Sequence, residues 1–248
     1  MTERATSFLK THSLRFKSLL ERLGVRDESE RTRISRAVLR AYSEPQRVYH
    51  NAAHIMYMLD MFDEGWFQRG SLMDRRPNQR ARDELEAAIW WHDAVYQVAV
   101  QQPGLSNERA SACWAYTELM QHGGSSSTAL LVHRLVLATD HSVQTCAPSA
   151  QWIVDLDLAI LGADEYNFPL YEAHVAAEYG HVPYPDYLGG RAYFLQEFLD
   201  SRDYIYTTDL FRDRYENQAQ ENVKGLIAQL KSHLKEVQSH DDRSTNAP

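Results

Sequence analysis

Apolar residues recur every three or four positions along most of the chain, which is the spacing of an amphipathic α-helix. The first such stripe is formed by Leu14, Leu19, Leu20 and Leu23, and Gly24 follows it as an expected C-terminal stop. We find no pattern of a β-hairpin and no internal repeat. The sequence therefore predicts an all-α protein of about ten helices.

The same periodicity and its stop signals place the remaining helices. They are predicted at 34–42, 51–67, 85–95, 107–120, from after 127 to about 140, and at 151–161, 164–179, 185–199 and 210–237. Asn107 is a candidate N-cap, 68–82 is predicted to be a loop, and 101–104 is predicted to be a turn. The ends, near 1–11 and 238–248, are expected to be disordered, and residues 1–248 are expected to form a single domain.

Composition narrows the classes of function. The 248 residues carry a net charge of −8, which offers no broad basic face and argues against general nucleic-acid binding. Two cysteines, Cys113 and Cys146, are too few for a disulfide framework and favour a reducing compartment. Neither a signal-peptide core nor a run of about 18 apolar residues occurs, so we expect a cytoplasmic protein that does not bind membranes.

His92 and Asp93 stand side by side within an apolar segment that includes Ile89, Trp90 and Val95. Burying a carboxylate is costly unless a cation or several hydrogen bonds compensate for the lost water. A divalent metal ion would provide both charge and coordination. The alternative is a buried histidine–aspartate hydrogen bond that joins two helices.

Two further polar residues favour the metal. His54 lies among apolar residues of a predicted helix, and Asp157 lies in the apolar run of another. Two imidazoles and two carboxylates suit Mn²⁺, Fe²⁺, Co²⁺, Ni²⁺ or Zn²⁺, and Mg²⁺ is also possible. Asp155 is the alternative to Asp157 as the last of the four metal ligands.

The order His, His-Asp, Asp on a helical background resembles the HD-domain metal-dependent phosphohydrolase superfamily. It resembles most a bacterial branch of predicted HD-superfamily phosphohydrolases. The stretches that carry the resemblance are YHNAAHI, AIWWHDAVYQ, NERASA, ATDHS, DLDLAILG and EYGHVPYPDYLGGRAYFLQEFLDSRDYIYTT, between Tyr49 and Thr208. The resemblance implies a single HD-domain-like helical bundle with His54, His92, Asp93 and Asp157 as metal ligands.

Other residues of these stretches are candidates for the site. His50, Asn51 and Tyr96 are candidates for substrate binding, although Asn51 also fits an N-cap and Tyr96 a core tyrosine on the face of His92. Glu108 or Asp93 would orient a water molecule. Arg109 stands where the family often has a second acidic residue. The resemblance therefore implies no metal-binding or base role for position 109.

His141 and Arg191 complete the candidates. His141 follows Asp140 at a predicted helix end, where it serves either the site or the helix dipole. Arg191 would hold a substrate phosphate by a forked contact, or else pair with Glu178 or Glu197.

The sequence thus predicts hydrolysis of a small phosphate ester, of a nucleotide or a similar molecule, by metal-activated water. One alternative is a non-catalytic regulator that binds nucleotide and metal. The presence of Arg109 where the family often has an acidic residue favours this alternative. Another is an HD-type di-iron oxygenase, which needs extra histidines such as His122, His133 and His141 between His92 and Asp157. The long final helix is also compatible with a homodimer.

Overall fold

The computed structural model describes the backbone of residues 3–72, 79–98, 105–141 and 147–245, and the side chains of these ranges except 3–11, 66–72 and 240–245. This part of the chain contains helices and no strand, which confirms the prediction of an all-α bundle. Its helices are α1 (Glu3–Arg22), α2 (Glu28–Ala41), α3 (Ala52–Leu72), α4 (Gln79–Trp91), α5 (Asn107–Gln121), α6 (Ser126–Leu137), α7 (Pro148–Leu158), a 3-10 turn (Ala159–Gly162), α8 (Asn167–Glu178), α9 (Tyr184–Asp200) and α10 (Asp209–Thr245).

The chain divides into two compact units, Met1–Leu156 and Asp157–Pro248. The boundary lies in the last turn of α7. That the whole chain behaves as one domain stays a prediction.

Aromatic packing forms the core of the first unit. The ring of Phe16 on α1 stacks on Trp90 with a centroid separation of 4.8 Å and meets Trp91 edge-on at 5.0 Å. All three side chains are almost completely buried. Burial of such large apolar surfaces fixes the C-terminal end of α4, which is the segment that leads into His92.

A glycine pair joins the C-terminal ends of α1 and α5. Gly24 and Gly123 both have a positive φ, of 106° and 105°, which is the expected backbone of a residue that terminates a helix. A Cβ atom added to Gly24 would lie 2.7 Å from the carbonyl oxygen of Gly123. The prediction that Gly24 ends the first helix is confirmed.

Buried polar contacts organise the second unit. The carboxylate of Glu216 on α10 accepts hydrogen bonds of 3.0 Å from the backbone N–H groups of Ile205 and Tyr206. Asn222 on the same helix donates to the carbonyl groups of Leu161 and Ala163, both at 2.8 Å. These contacts hold the connections before α8 and α10 against the long last helix.

Several predicted boundaries are wrong. Helix α4 ends at Trp91 and does not reach Val95, and Ser106, not Asn107, caps α5 through a hydrogen bond to the N–H of Arg109. Helical backbone also covers 3–11 and 238–245, where the sequence predicted disordered ends, and α3 and α4 extend into the predicted loop 68–82.

The turn predicted at 101–104 and Cys146 lie outside the described residues, whereas Cys113 is a free, exposed thiol. Among the described helices, none is both long enough and apolar enough to span a membrane.

Candidate metal centre

Three predicted ligands of the first unit lie together. His54 is in the first turn of α3, and His92 and Asp93 form the turn that directly follows α4. The two histidines are 4% and 0% exposed, and Asp93 is half-buried. The sequence placed His92 and Asp93 inside a helix. They instead lie just beyond its end, where adjacent side chains are free to point the same way.

The ligand atoms converge closely. Nε2 of His92 lies 3.1 Å from Nε2 of His54 and 3.0 Å from Oδ2 of Asp93. The distance from Nε2 of His54 to the same carboxylate oxygen is 3.9 Å. These contacts also connect α3 with the turn after α4, as the alternative, a purely structural histidine–aspartate hydrogen bond, would.

The donor set fits a divalent transition metal. Two atoms bound at about 2.1 Å to one ion, with bond angles near those of a tetrahedron or octahedron, lie roughly 3.0 to 3.4 Å apart. The two distances from His92 are within that range, whereas the 3.9 Å between His54 and Asp93 is longer. Among the described residues, His54, His92 and Asp93 form a group whose ligand atoms all lie within 4.8 Å of one another.

The ring of His92 is oriented from its other side. Its Nδ1 lies 3.0 Å from the carbonyl oxygen of Ile89, which can only accept a hydrogen bond. Nδ1 therefore carries the proton, and in the neutral ring Nε2 presents its lone pair to His54 and Asp93. Such a contact fixes both tautomer and ring orientation at histidine metal sites.

Arg47 holds the two segments of the site together, a role that sequence reasoning missed. Its guanidinium donates to the carbonyl groups of Asp93 at 2.6 Å, Ala94 at 3.1 Å and His50 at 3.3 Å. It also pairs with Glu44 at 3.0 Å, and its side chain is only 1% exposed. The sequence contains no sign of this role, because arginine is seldom buried.

The segment after Asp93 is held from α5 as well. Oγ of Ser111 accepts from the N–H of Val95 at 2.9 Å and donates to its carbonyl group at 3.3 Å. The amide of Asn107 makes the corresponding pair with the backbone of Gln97, at 3.0 and 3.2 Å. Helix α5 thereby braces the turn that carries Asp93.

Two of the predicted substrate-binding residues lie beside the cluster. The rings of His50 and Tyr96 stack with a centroid separation of 4.2 Å, and the ring of His50 is 6.0 Å from that of His54. Tyr96 lies outside any helix, so the helical-face argument that linked it to His92 is wrong. Asn51 acts as the cap of α3, accepting from the N–H of Ala53 and donating to the carbonyl of Val48, both at 2.7 Å.

Glu108 and His141 are not part of the three-residue group. Glu108 is half-buried in the first turn of α5, and Arg109 beside it is exposed. His141 lies four residues beyond the end of α6, in a turn rather than at the helix terminus. Their catalytic roles stay predictions.

The two aspartates of α7 differ in burial. Asp155 is 0% exposed, whereas Asp157 is half-buried and is the first residue of the second unit. Asp157 is thus partly shielded from solvent by the apolar run, but less than Asp155 is. Asp157 as the last metal ligand stays a prediction, with Asp155 as its rival.

Arg191 is paired within the second unit. Its guanidinium donates to both oxygens of Glu172, at 3.1 and 2.8 Å, and to the hydroxyl of Tyr171 at 3.0 Å. The partners expected from sequence, Glu178 and Glu197, are not the ones observed. Despite the desolvation of the buried arginine, Tyr171 and Glu172 raise the pKa of its guanidinium.

Comparison of the chain with protein-family models, with curated proteins and with solved structures gives no match.

Proposed function

We propose that the chain is a metal-dependent phosphohydrolase that acts on a small phosphate ester, such as a nucleotide. The observation that supports this proposal is the convergence of His54 Nε2, His92 Nε2 and Asp93 Oδ2, which lie 3.0 to 3.9 Å from one another. The ordered motif between Tyr49 and Thr208, which resembles the HD phosphohydrolases, adds the reaction class.

A divalent ion held by these three residues would supply Lewis acidity, both to a water molecule and to a phosphoryl oxygen. The chain's own residues provide orientation. Ile89 fixes the ring of His92, while Arg47 and Ser111 fix the backbone from Asp93 to Val95. A rigid arrangement of this kind avoids reorganisation during the reaction.

His50 is the residue beside the cluster that is best suited to a phosphate. An imidazole can donate N–H groups to phosphate oxygens, and the stacked ring of Tyr96 limits its orientations. The chain as a whole is acidic, so local donors are needed to hold an anionic substrate.

The test combines metal analysis with phosphate release. Purified protein should contain, or take up, about one divalent transition-metal ion per chain, and it should release phosphate from members of a nucleotide panel with Mn²⁺, Co²⁺ or Ni²⁺. His92→Ala should lose both properties while circular dichroism remains helical. His133→Ala, which removes a histidine of α6 outside the cluster, should retain both.

The outcomes separate the proposal from its alternatives. Metal and nucleotide binding without turnover would instead indicate the non-catalytic regulator, and two irons per chain would indicate the oxygenase. If the protein binds no metal after incubation with each ion, the cluster has only a structural role, as a hydrogen-bonded connection between α3 and the turn after α4.

A further inference from the structure

A groove of about 450 Å³ lies in the second unit, between α8, α9 and α10. Its apolar lining is provided by the buried side chains of Phe168, Leu188, Leu226 and Leu230. Sites for small organic molecules commonly enclose about 300 to 1,000 Å³ and have mainly apolar walls with a few polar groups. This groove has both properties and contains none of the proposed metal ligands.

Small residues keep the groove open. Gly225 lies in the interior of the 37-residue helix α10, where glycine is unfavourable relative to alanine. Among the described residues, no atom other than those of its chain neighbours and of the adjacent helix backbone lies within 4 Å of the position that a Cβ of Gly225 would take. Ala173 and Ala176 of α8 line the same groove. The chain therefore leaves space here that its own packing does not use.

The ionisable groups make the groove acidic. Glu165 and Glu221 are exposed carboxylates in its lining, and among the described residues neither has a basic partner. Glu172 also lines the groove, but its charge is balanced by Arg191. The basic residue of the lining is His233.

The acidic groups lie at one end of an elongated space. The lining residues of α10 run from Glu221 to His233, and twelve helical steps cover about 18 Å. Asn222 donates to the carbonyl groups of Leu161 and Ala163, so the chain leading to Glu165 lies at the same end as Glu221. The apolar side chains of Leu226 and Leu230 follow along the helix.

From this arrangement we propose that the groove is a binding site for an organic cation with an elongated apolar body. The cationic group lies near Glu165 and Glu221, and the apolar body lies over Gly225 towards Leu230. A second copy of the chain is disfavoured as the occupant. A symmetric contact between two such grooves would bring their acidic groups together, and like charges repel. This proposal is independent of the proposed phosphohydrolase activity.

Three probes of equal chain length isolate the effect of charge: octylamine, 1-octanol and octanoate, each titrated calorimetrically into the full chain at neutral pH. Octylamine should bind roughly three- to tenfold more tightly than 1-octanol, as two exposed carboxylates would provide. Octanoate should bind most weakly. The double variant Glu165→Gln/Glu221→Gln should remove the difference between octylamine and 1-octanol without altering the fold.

Two glycines provide a matched test of the location. Gly225→Leu fills the groove and should weaken octylamine binding by about tenfold or more. Gly190→Leu places the same side chain at an equally open helical position of α9, which does not line the groove, and should leave binding unchanged. If Gly225→Leu does not fold, the carboxylate variant decides.

Four results would overturn the proposal. They are no binding of octylamine to the wild-type chain, equal affinities for octylamine and octanoate, equal effects of the two leucine substitutions, or a wild-type dimer that Gly225→Leu dissociates. The last result would make a second copy the occupant, and analytical ultracentrifugation detects it.

Discussion

The guanidinium of Arg47 donates a hydrogen bond of 2.6 Å to the backbone carbonyl of Asp93, which lies 46 residues further along the chain. The same side chain binds the carbonyl groups of Ala94 and His50, so one buried cation joins the segment before α3 to the turn after α4. His54 directly follows the first segment, in the first turn of α3, and His92 and Asp93 form the second. The separation of these proposed metal ligands therefore depends on Arg47 although Arg47 touches none of the ligand atoms.

Replacing Arg47 by methionine should loosen this connection. Three buried or half-buried carbonyl groups lose their donor, which should lower the free energy of unfolding by about 2 to 4 kcal/mol. Metal affinity should fall by about 10- to 100-fold, as it does when a residue that supports metal ligands is removed. Urea denaturation and competitive metal titration measure the two effects.

Arg36→Met provides the control, because Arg36 is exposed on α2. It should change neither quantity appreciably. A folded Arg47→Met protein with wild-type metal affinity would contradict a positioning role and leave Arg47 as a purely structural residue.

Substitution of the two aspartates of α7 should affect different properties, metal affinity for one and stability for the other. If Asp157 is the last ligand, Asp157→Asn should lower metal affinity by at least about tenfold. Asp155 is completely buried, so Asp155→Asn should mainly reduce stability, by about 1 to 3 kcal/mol. Metal titration and thermal unfolding of both variants are the measurements, and the reverse pattern would make Asp155 the ligand.

Helix periodicity predicted the architecture because most of the helices bury one apolar face and end at recognisable stops, such as Gly24. It misplaced His92 and Asp93 by extending α4 to Val95. The apolar residues Ala94 and Val95 continue the pattern, but a buried turn satisfies it as well as a helix does. Periodicity alone does not distinguish the two.

The candidate site was only partly accessible from sequence for a related reason. His54, His92 and Asp93 were identified because polar residues in apolar surroundings are costly. The supporting contacts of Arg47 and Ser111 were not, because they bind backbone atoms of segments far away in the chain, and such contacts leave no residue pattern. The stacking of His50 on Tyr96 depends on the turn and was equally hidden.

The contact between Gly24 and Gly123 should make either glycine hard to replace. Gly24→Ala forces a side chain into a positive φ and brings its Cβ to 2.7 Å from the carbonyl oxygen of Gly123. We expect a loss of about 2 to 4 kcal/mol in the free energy of unfolding. Gly190→Ala is the matched control and should stabilise by about 0.5 to 1 kcal/mol, because it lies in an open helical position. Equal unfolding midpoints in urea for the two variants would refute the close contact.

Glu118 should contribute to the acid sensitivity of the first unit. Burial acts to raise the pKa of its carboxyl group, but hydrogen bonds from Arg33 and Trp114 outweigh burial and lower the pKa below its usual value of 4.5. A lowered pKa in the folded state means that this stabilisation is present above pH 4.5 and is lost as the pH falls through the folded-state pKa.

Glu118→Gln should therefore be less stable than wild type at neutral pH, by about 1 kcal/mol or less, since Arg33 is half-exposed. The difference should shrink as the pH falls below 4.5. Unfolding by urea across this pH range measures it, with Glu197→Gln, at an exposed carboxylate of α9, as the control. A difference that stays constant with pH would assign the effect to packing rather than to charge.

Arg191 allows a stabilising role to be separated from the substrate role that the sequence predicts. Arg191 and Glu172 are only 13% and 12% exposed, so Arg191→Met leaves a buried carboxylate without its cation and should cost about 3 to 5 kcal/mol. Adding Glu172→Met should recover much of that loss, because the double variant contains neither the cation nor the unpaired carboxylate. If Arg191 also holds the substrate phosphate, the double variant should be stable but should release phosphate with a higher KM than wild type. A stable double variant with wild-type kinetics would restrict Arg191 to its ion pair with Glu172.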